Sequence, residues 1–171
     1  MNKMQEIRIE KLTLNVGAGK DQGKLEKGLK LIKHLTGRDG IKTITQKRIP
    51  GWSLRPGLPI GCKLTLRDKE LIKSLLTKIV ASKNNSLKSK QFDSEGNLSI
   101  GIHEYIDIPD INYDPDIGIL GFEVCITLQR PGFRIKKRKL QKKKIPKKHR
   151  ITKEQAIVFM EKEFQVKIEA N

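Results

Sequence analysis

The strictest pattern in this chain is a period of two. Ile60, Cys62, Leu64 and Leu66 alternate with Gly61, Lys63, Thr65 and Arg67, so one side is apolar and the other small, polar or basic. Successive side chains on a strand point to opposite faces, so this segment predicts a strand with one buried side, as antiparallel sheets contain. Leu98, Ile100 and Ile102 repeat the pattern, and so do Phe122, Val124, Ile126 and Leu128. Near the N-terminus Ile7 and Ile9 keep one phase while Leu12, Leu14 and Val16 keep the other. That slip predicts one strand with a bulge or kink at Glu10-Lys11. Ile41 to Ile49 reads as a further strand rich in Thr and Lys, and the 98–102 pattern is expected to resume at Ile106 and Ile108.

Between these runs the period lengthens. Leu25, Leu29, Ile32 and Leu35 fall at spacings of four, three and three, one face of a helix that should stop near Gly37. Leu71, Ile72, Leu75, Leu76, Ile79 and Val80 predict the best amphipathic helix, ending near Asn84-Asn85. Thr152 and Gln155 form a capping box that opens a last helix, expected over 152–170, with Ala156, Ile157, Met160 and Phe164 on its apolar side. Pro50, Pro56 and Pro59 mark a loop, and Tyr113-Asp114-Pro115-Asp116 a turn. With no internal repeat and short connections, the order predicts an α+β fold. Its expected form is a single antiparallel sheet with helices packed on one face, in a single domain over 1–171.

Charge then names a class of partner. The 171 residues hold 36 Lys and Arg against 19 Asp and Glu, a formal net charge of +17. The charge is sorted into blocks. From Arg130 to Arg150 there are 12 basic residues and no acid: Arg130, Arg134, Lys136, Lys137, Arg138, Lys139, Lys142, Lys143, Lys144, Lys147, Lys148 and Arg150. Residues 91–129 hold eight acids and no Lys or Arg, and 38–67 hold seven basic residues against Asp39 alone. Sorting of this kind points to a polyanion facing the basic blocks and to protein or solvent facing the acidic one. A solubility tail is the alternative for 130–150. That segment has only Phe133, Ile135, Leu140 and Ile145 to bury, so it is expected to stay mobile until an anion neutralises it. No apolar run approaches the ~20 residues of a membrane helix. The N-terminus shows no signal-type apolar region, so the cytoplasm is the expected compartment.

Catalytic and metal chemistry find no footing in the residues. Asn15-Val16-Gly17-Ala18-Gly19 precedes a helix, but Gln22 stands where a dinucleotide fingerprint needs its third glycine, and Leu25 follows Lys24 where a P-loop needs Ser or Thr. The turn is still expected to hold a phosphate of a larger molecule through its backbone N–H groups. His34, His103 and His149 show no metal spacing, and Cys62 and Cys125 match neither a disulfide framework nor a metal knuckle. Asp107, Asp110, Asp114 and Asp116 read as turn formers. No nucleophile motif is present, so neither an enzyme nor a cofactor is expected. Trp52, beside Lys47, Arg48 and Arg55, has two readings: a buried loop anchor, or a plane on which an exposed base stacks while the cations hold phosphate.

Two stretches are more specific. Thr45–Arg67, around Pro50-Gly51-Trp52-Ser53-Leu54-Arg55-Pro56-Gly57, and Phe92–Pro109 strongly resemble the universal large-subunit ribosomal protein "L five" family, called L eleven in eukaryotes. Asn15–Gly19, Leu35-Thr36-Gly37, Tyr113–Gly118 and Arg130-Pro131-Gly132-Phe133-Arg134 fit as well, and the extension through Gln155 is similar to the archaeal and eukaryotic branch. The resemblance implies binding to 5S rRNA and large-subunit rRNA in the central protuberance, beside neighbouring large-subunit proteins. It also implies a contact to a small-subunit protein across the intersubunit bridge and a loop facing P-site tRNA. By position, Asn15, Arg38, Trp52 and Thr65 fall where relatives meet 5S rRNA. The Arg48–Ile60 loop matches the tRNA-facing loop, with Arg48, Trp52, Arg55, Pro56, Gly57 and Leu58 as its candidates. The mechanism expected is non-catalytic docking of Lys63, Thr65 and Arg67, with Thr43, Gln46, Lys47 and the Gly17 and Gly19 turn, on an RNA surface by shape, phosphate and 2′-OH contacts. A promiscuous RNA chaperone and a nucleotide-dependent enzyme are the rivals.

Overall fold

The computed structural model describes residues 2–169. Along them run β1 (Arg8–Gly17), α1 (Gln22–Thr36), β2 (Ile41–Ile44), β3 (Pro59–Leu66), α2 (Lys69–Ser82), β4 (Ser86–Lys88), β5 (Leu98–Ile102), β6 (Phe122–Gln129), α3 (Lys153–Phe164) and β7 (Lys167–Glu169), joined by loops and short 3-10 turns. The α+β class is as expected, with a mostly antiparallel five-stranded sheet in the order β2-β3-β1-β6-β5. The expectation of a single sheet is corrected, because β4 and β7 pair in parallel as a second, two-stranded sheet. Each of those strands holds one aliphatic residue, Leu87 or Ile168, so neither carries an alternation to read. Main-chain pairing and the Ser86 hydroxyl donating to Glu169 Oε1 at 2.6 Å hold them instead.

Tertiary contacts divide the chain into two compact units. The loop-bearing unit comprises 13–66 and 100–125, and the extension-bearing unit the remainder, so β1, β5 and β6 each give residues to both.

In the loop-bearing unit the alternation places Leu14, Val16, Cys62 and Leu66 in the core, all nearly or fully excluded from solvent. Helix α1 packs on β3. It starts where the Asp21 carboxylate accepts from the Lys24 N–H at 3.1 Å, and stops at Gly37, whose left-handed φ of 67° lets its N–H reach the Lys33 carbonyl. Strand β2 is shorter than expected. It ends at Ile44, and Ile49 instead bridges to Leu54 inside the following loop. The strand expected at 106–108 is a 3-10 turn over Tyr105–Asp107 that buries Tyr105 and Ile108. The Tyr105 hydroxyl accepts from the Asp114 N–H at 2.9 Å, which draws in the Asp114–Asp116 turn.

The extension-bearing unit is built on α2 and α3. Ile72, Leu75, Leu76, Ile79 and Val80 of α2 are buried, as their spacing predicts. The capping box is present, Thr152 accepting from the Gln155 N–H while the Gln155 side chain accepts from the Thr152 N–H. Ala156 and Met160 are buried, whereas Ile157 and Phe164 are only half-covered. The last helix is shorter than the 152–170 span expected. Gln165 turns left-handed at φ 53° and β7 follows, while residue 170 lies outside the described residues. No described helix is long and apolar enough to cross a membrane.

Candidate nucleic-acid interface

The loop-bearing unit gathers most of the candidate residues from 15 to 65. Strand β2 pairs antiparallel with β3 in a register that sets Ile41 opposite Lys63 and Thr43 opposite Gly61. Opposed residues in such a pair share a face, so Ile41, Thr43, Gly61, Lys63 and Thr65 line one side. Gly61 is required there, because a Cβ would sit 2.5 Å from the Val16 carbonyl oxygen. Without it β1 and β3 could not approach, and the face would lose its register. Lys63 and Thr65 are exposed, and Thr43 and Asn15 are half-buried. Ile41 and Ile44, 67% and 60% exposed, add apolar surface that the alternation alone assigned to a strand and to no contact.

The proline-rich loop is closed on itself. Thr45 donates to the Leu58 carbonyl and Gly57 to the Thr45 carbonyl, both at 2.9 Å, forming an outer neck. Farther out, Ile49 and Leu54 exchange N–H···O bonds at 3.1 Å in each direction, and Leu54 is buried. The loop therefore holds its shape through its own backbone, and its remaining side chains point outward. Gln46, Lys47, Arg48, Arg55, Pro56 and Gly57 are exposed, with Leu58 half-buried. Trp52 is 68% exposed, so it is not the buried anchor that was one reading of it. A rigid, exposed indole flanked by Arg48 and Arg55 suits base stacking beside phosphate contacts. Arg38, just past α1, is exposed too.

The glycine turn corrects one expectation. Ala18 and Gly19 N–H groups both donate to the Ile60 carbonyl at 2.9 Å, so those amides serve the fold. The Asp21 carboxylate caps the helix that follows and places a negative charge where a phosphate would have to sit. Gly17 and Gly19 are exposed and open to close approach, but they do not form an amide cradle for an anion.

The extension-bearing unit holds Arg67 and the 130–150 segment. Arg67 is exposed. The segment is not the loose tail that its few apolar residues suggested. Phe133 and Ile145 are buried, and Arg130, 8% exposed, ties its two ends together. Its guanidinium donates to the His149 and Arg150 carbonyls at 3.4 Å and to Gln155 Oε1 at 2.9 Å. His149 Nε2 sits 2.9 Å from the Pro131 carbonyl oxygen, with its ring edge-on to Phe133. Arg130 is thus a structural clip rather than a phosphate ligand, and Lys137 is drawn into a pair with the largely covered Glu10 carboxylate. Arg134, Arg138, Lys139, Lys142, Lys143, Lys144, Lys147, Lys148 and Arg150 are exposed, and Lys136 is half-buried over the Phe133 ring. The clip was hidden in the sequence because Arg130 looks like any other member of its basic run.

The acidic stretch closes turns. Asp93 accepts from the Glu95 and Asn97 N–H groups and from Asn97 Nδ2, and Asp116 pairs with Lys30 at 3.0 Å. Among the described residues no cluster of His, Cys, Asp or Glu is arranged to hold a metal ion.

Comparison with known proteins gives two family matches that follow one another along the chain. Residues 2–55 match the family described as ribosomal protein L5, and residues 59–165 match the C-terminus of the same ribosomal family. The large ribosomal subunit protein uL5 of Methanosphaera stadtmanae is 43% identical over 99% of this chain and 100% of its own. That of Nanoarchaeum equitans is 42% identical over 96% and 97%, and that of Sulfolobus acidocaldarius 44% over 98% and 93%.

Proposed function

The chain belongs to the ribosomal protein L5 family, and from that premise we propose that it binds 5S rRNA in the central protuberance of the large ribosomal subunit. It is a ribosomal protein of the large subunit with a structural role, not an enzyme. The proposal assigns the β2–β3 face (Thr43, Lys63 and Thr65), with Asn15, Arg38, Gln46 and Lys47, to rRNA, and adds Arg67 from the extension-bearing unit. The Arg48–Leu58 loop is assigned to the backbone of P-site tRNA, with Arg55 as its leading contact. The exposed lysines of 138–148 take large-subunit rRNA phosphates. The acidic 91–129 stretch faces protein, including a small-subunit protein across the intersubunit bridge, and the whole chain works as one ribosomal module.

The observation that carries this reading is the Trp52 loop. It is held by two rungs of its own backbone, it leaves an indole 68% exposed, and basic side chains flank it. A large apolar ring left in water at the tip of a rigid loop is surface with a partner. Competition binding tests the proposal. Unlabelled 5S rRNA should displace labelled 5S rRNA from the protein, and an unrelated structured RNA of the same length should not at the same concentration. Equal displacement by both would favour the chaperone reading.

A further inference from the structure

The extension encloses a cavity of about 180 Å³ that the proposed contacts do not use. Its lining sorts by exposure. Leu128, Phe133, Ile145 and Ile151 are buried and form an apolar inner wall, whereas Lys144 and Arg150 are exposed and Lys136 half-exposed. Two further residues come from the Asp93 turn: Glu95 and Asn97. Asn97 Nδ2 is already bonded to Asp93 Oδ2 at 2.7 Å, which leaves its Oδ1 as the end with accepting capacity. Glu95 is exposed, and an ionised carboxylate is an acceptor only. The cavity therefore combines an apolar wall with two acceptors and three cations.

Those features fit one kind of ligand. The volume is below the ~300–1,000 Å³ of ordinary small-molecule pockets and suits a single planar ring system. Cations beside it call for a phosphate, and an apolar wall against a ring calls for a base. Acceptors without a free donor select a base edge made of donors. Guanine alone among the RNA bases presents adjacent N1–H and N2–H₂ donors, which a carboxylate takes bidentately. We infer that this cavity receives one extruded guanine nucleotide of rRNA, its base on the Phe133 wall, its donor edge on Glu95 and Asn97, and its phosphate on Lys136, Lys144 and Arg150. The inference rests on the rRNA-binding reading and adds a base-specific contact to it.

Fluorescence anisotropy with the full chain tests it. The probes are one RNA duplex carrying a single bulged G, the same duplex with a bulged A or U, and the duplex without a bulge. The bulged-G duplex should bind about tenfold more tightly than the others, within the range of one bidentate base contact. Glu95→Gln should abolish that preference and raise bulged A relative to bulged G, because a carboxamide pairs with adenine's donor-and-acceptor edge. Binding to the unbulged duplex should not change. Lys144→Gln should weaken all bulged probes alike. Equal affinity of the wild-type chain for every probe, with 5S rRNA binding intact, would overturn the guanine site alone. Failure to bind any probe or 5S rRNA would overturn the rRNA reading and the site with it.

Discussion

At the scale of single residues, exposure separates side chains that serve the fold from those left for a partner. Trp52 buries little, so Trp52→Ala should change unfolding free energy by less than about 0.5 kcal/mol. If a base stacks on it, RNA affinity should fall by ~1–3 kcal/mol in the same preparation. Denaturant unfolding alongside binding isotherms reads both. Arg130 behaves in the opposite way. It is buried, and its charge is spent on two carbonyls and Gln155. Arg130→Met should cost about 2 kcal/mol of stability, the scale of bonds to a charged group, whereas exposed Lys139→Gln should cost almost none. Cys62 gives a chemical check. Burial pushes its thiol up to about 11, from an ordinary 9.0. In the folded chain it stays a neutral thiol at pH 8 and should resist thiol reagents until the protein unfolds. The sign for stability follows from the raised value: above pH 9 the unfolded thiol ionises first, so this group lowers stability as pH rises from 9 to 11.

At the scale of elements, what could be read ahead depended on period. Strands β1, β3, β5 and β6 and helices α1 and α2 each carry an apolar repeat long enough to set their type. Strands β4 and β7 carry none, and their pairing joins residues some eighty positions apart, which only the folded chain reveals. The site was legible to the same degree. The basic loop and the β3 face stood out from charge and alternation. The use of turn amides inside the fold and the Arg130 clip did not, because both depend on partners distant in sequence. The extension is accordingly an ordered element with lysines on its outside. Changing Lys139, Lys142 and Lys143 to Gln together leaves Phe133, Ile145 and Arg130 untouched. The slope of log affinity against log salt should then flatten by about two to three units, at ~0.7–0.9 per phosphate contact, with the fold intact by circular dichroism. An unchanged slope would return the segment to the role of a solubility tail.

At the scale of the molecule, the net charge belongs mostly to one unit. The extension-bearing unit has 25 Lys and Arg against 10 acids, and the loop-bearing unit 11 against nine. Composition alone gave a polyanion as partner, and the two units divide that task. One supplies the salt-dependent attraction to rRNA. The other supplies shaped contacts on a strand face and a closed loop, where six acids within 100–125 leave little net charge to attract RNA. Affinity in this account is mainly electrostatic, and the choice of RNA comes from shape and stacking. The most direct measurement is sedimentation of cell extract followed by partial stripping of the large subunit. The account predicts that the protein travels with the large subunit and leaves it in a complex with 5S rRNA. Protein that travels with the subunit but is released free of 5S rRNA would contradict it.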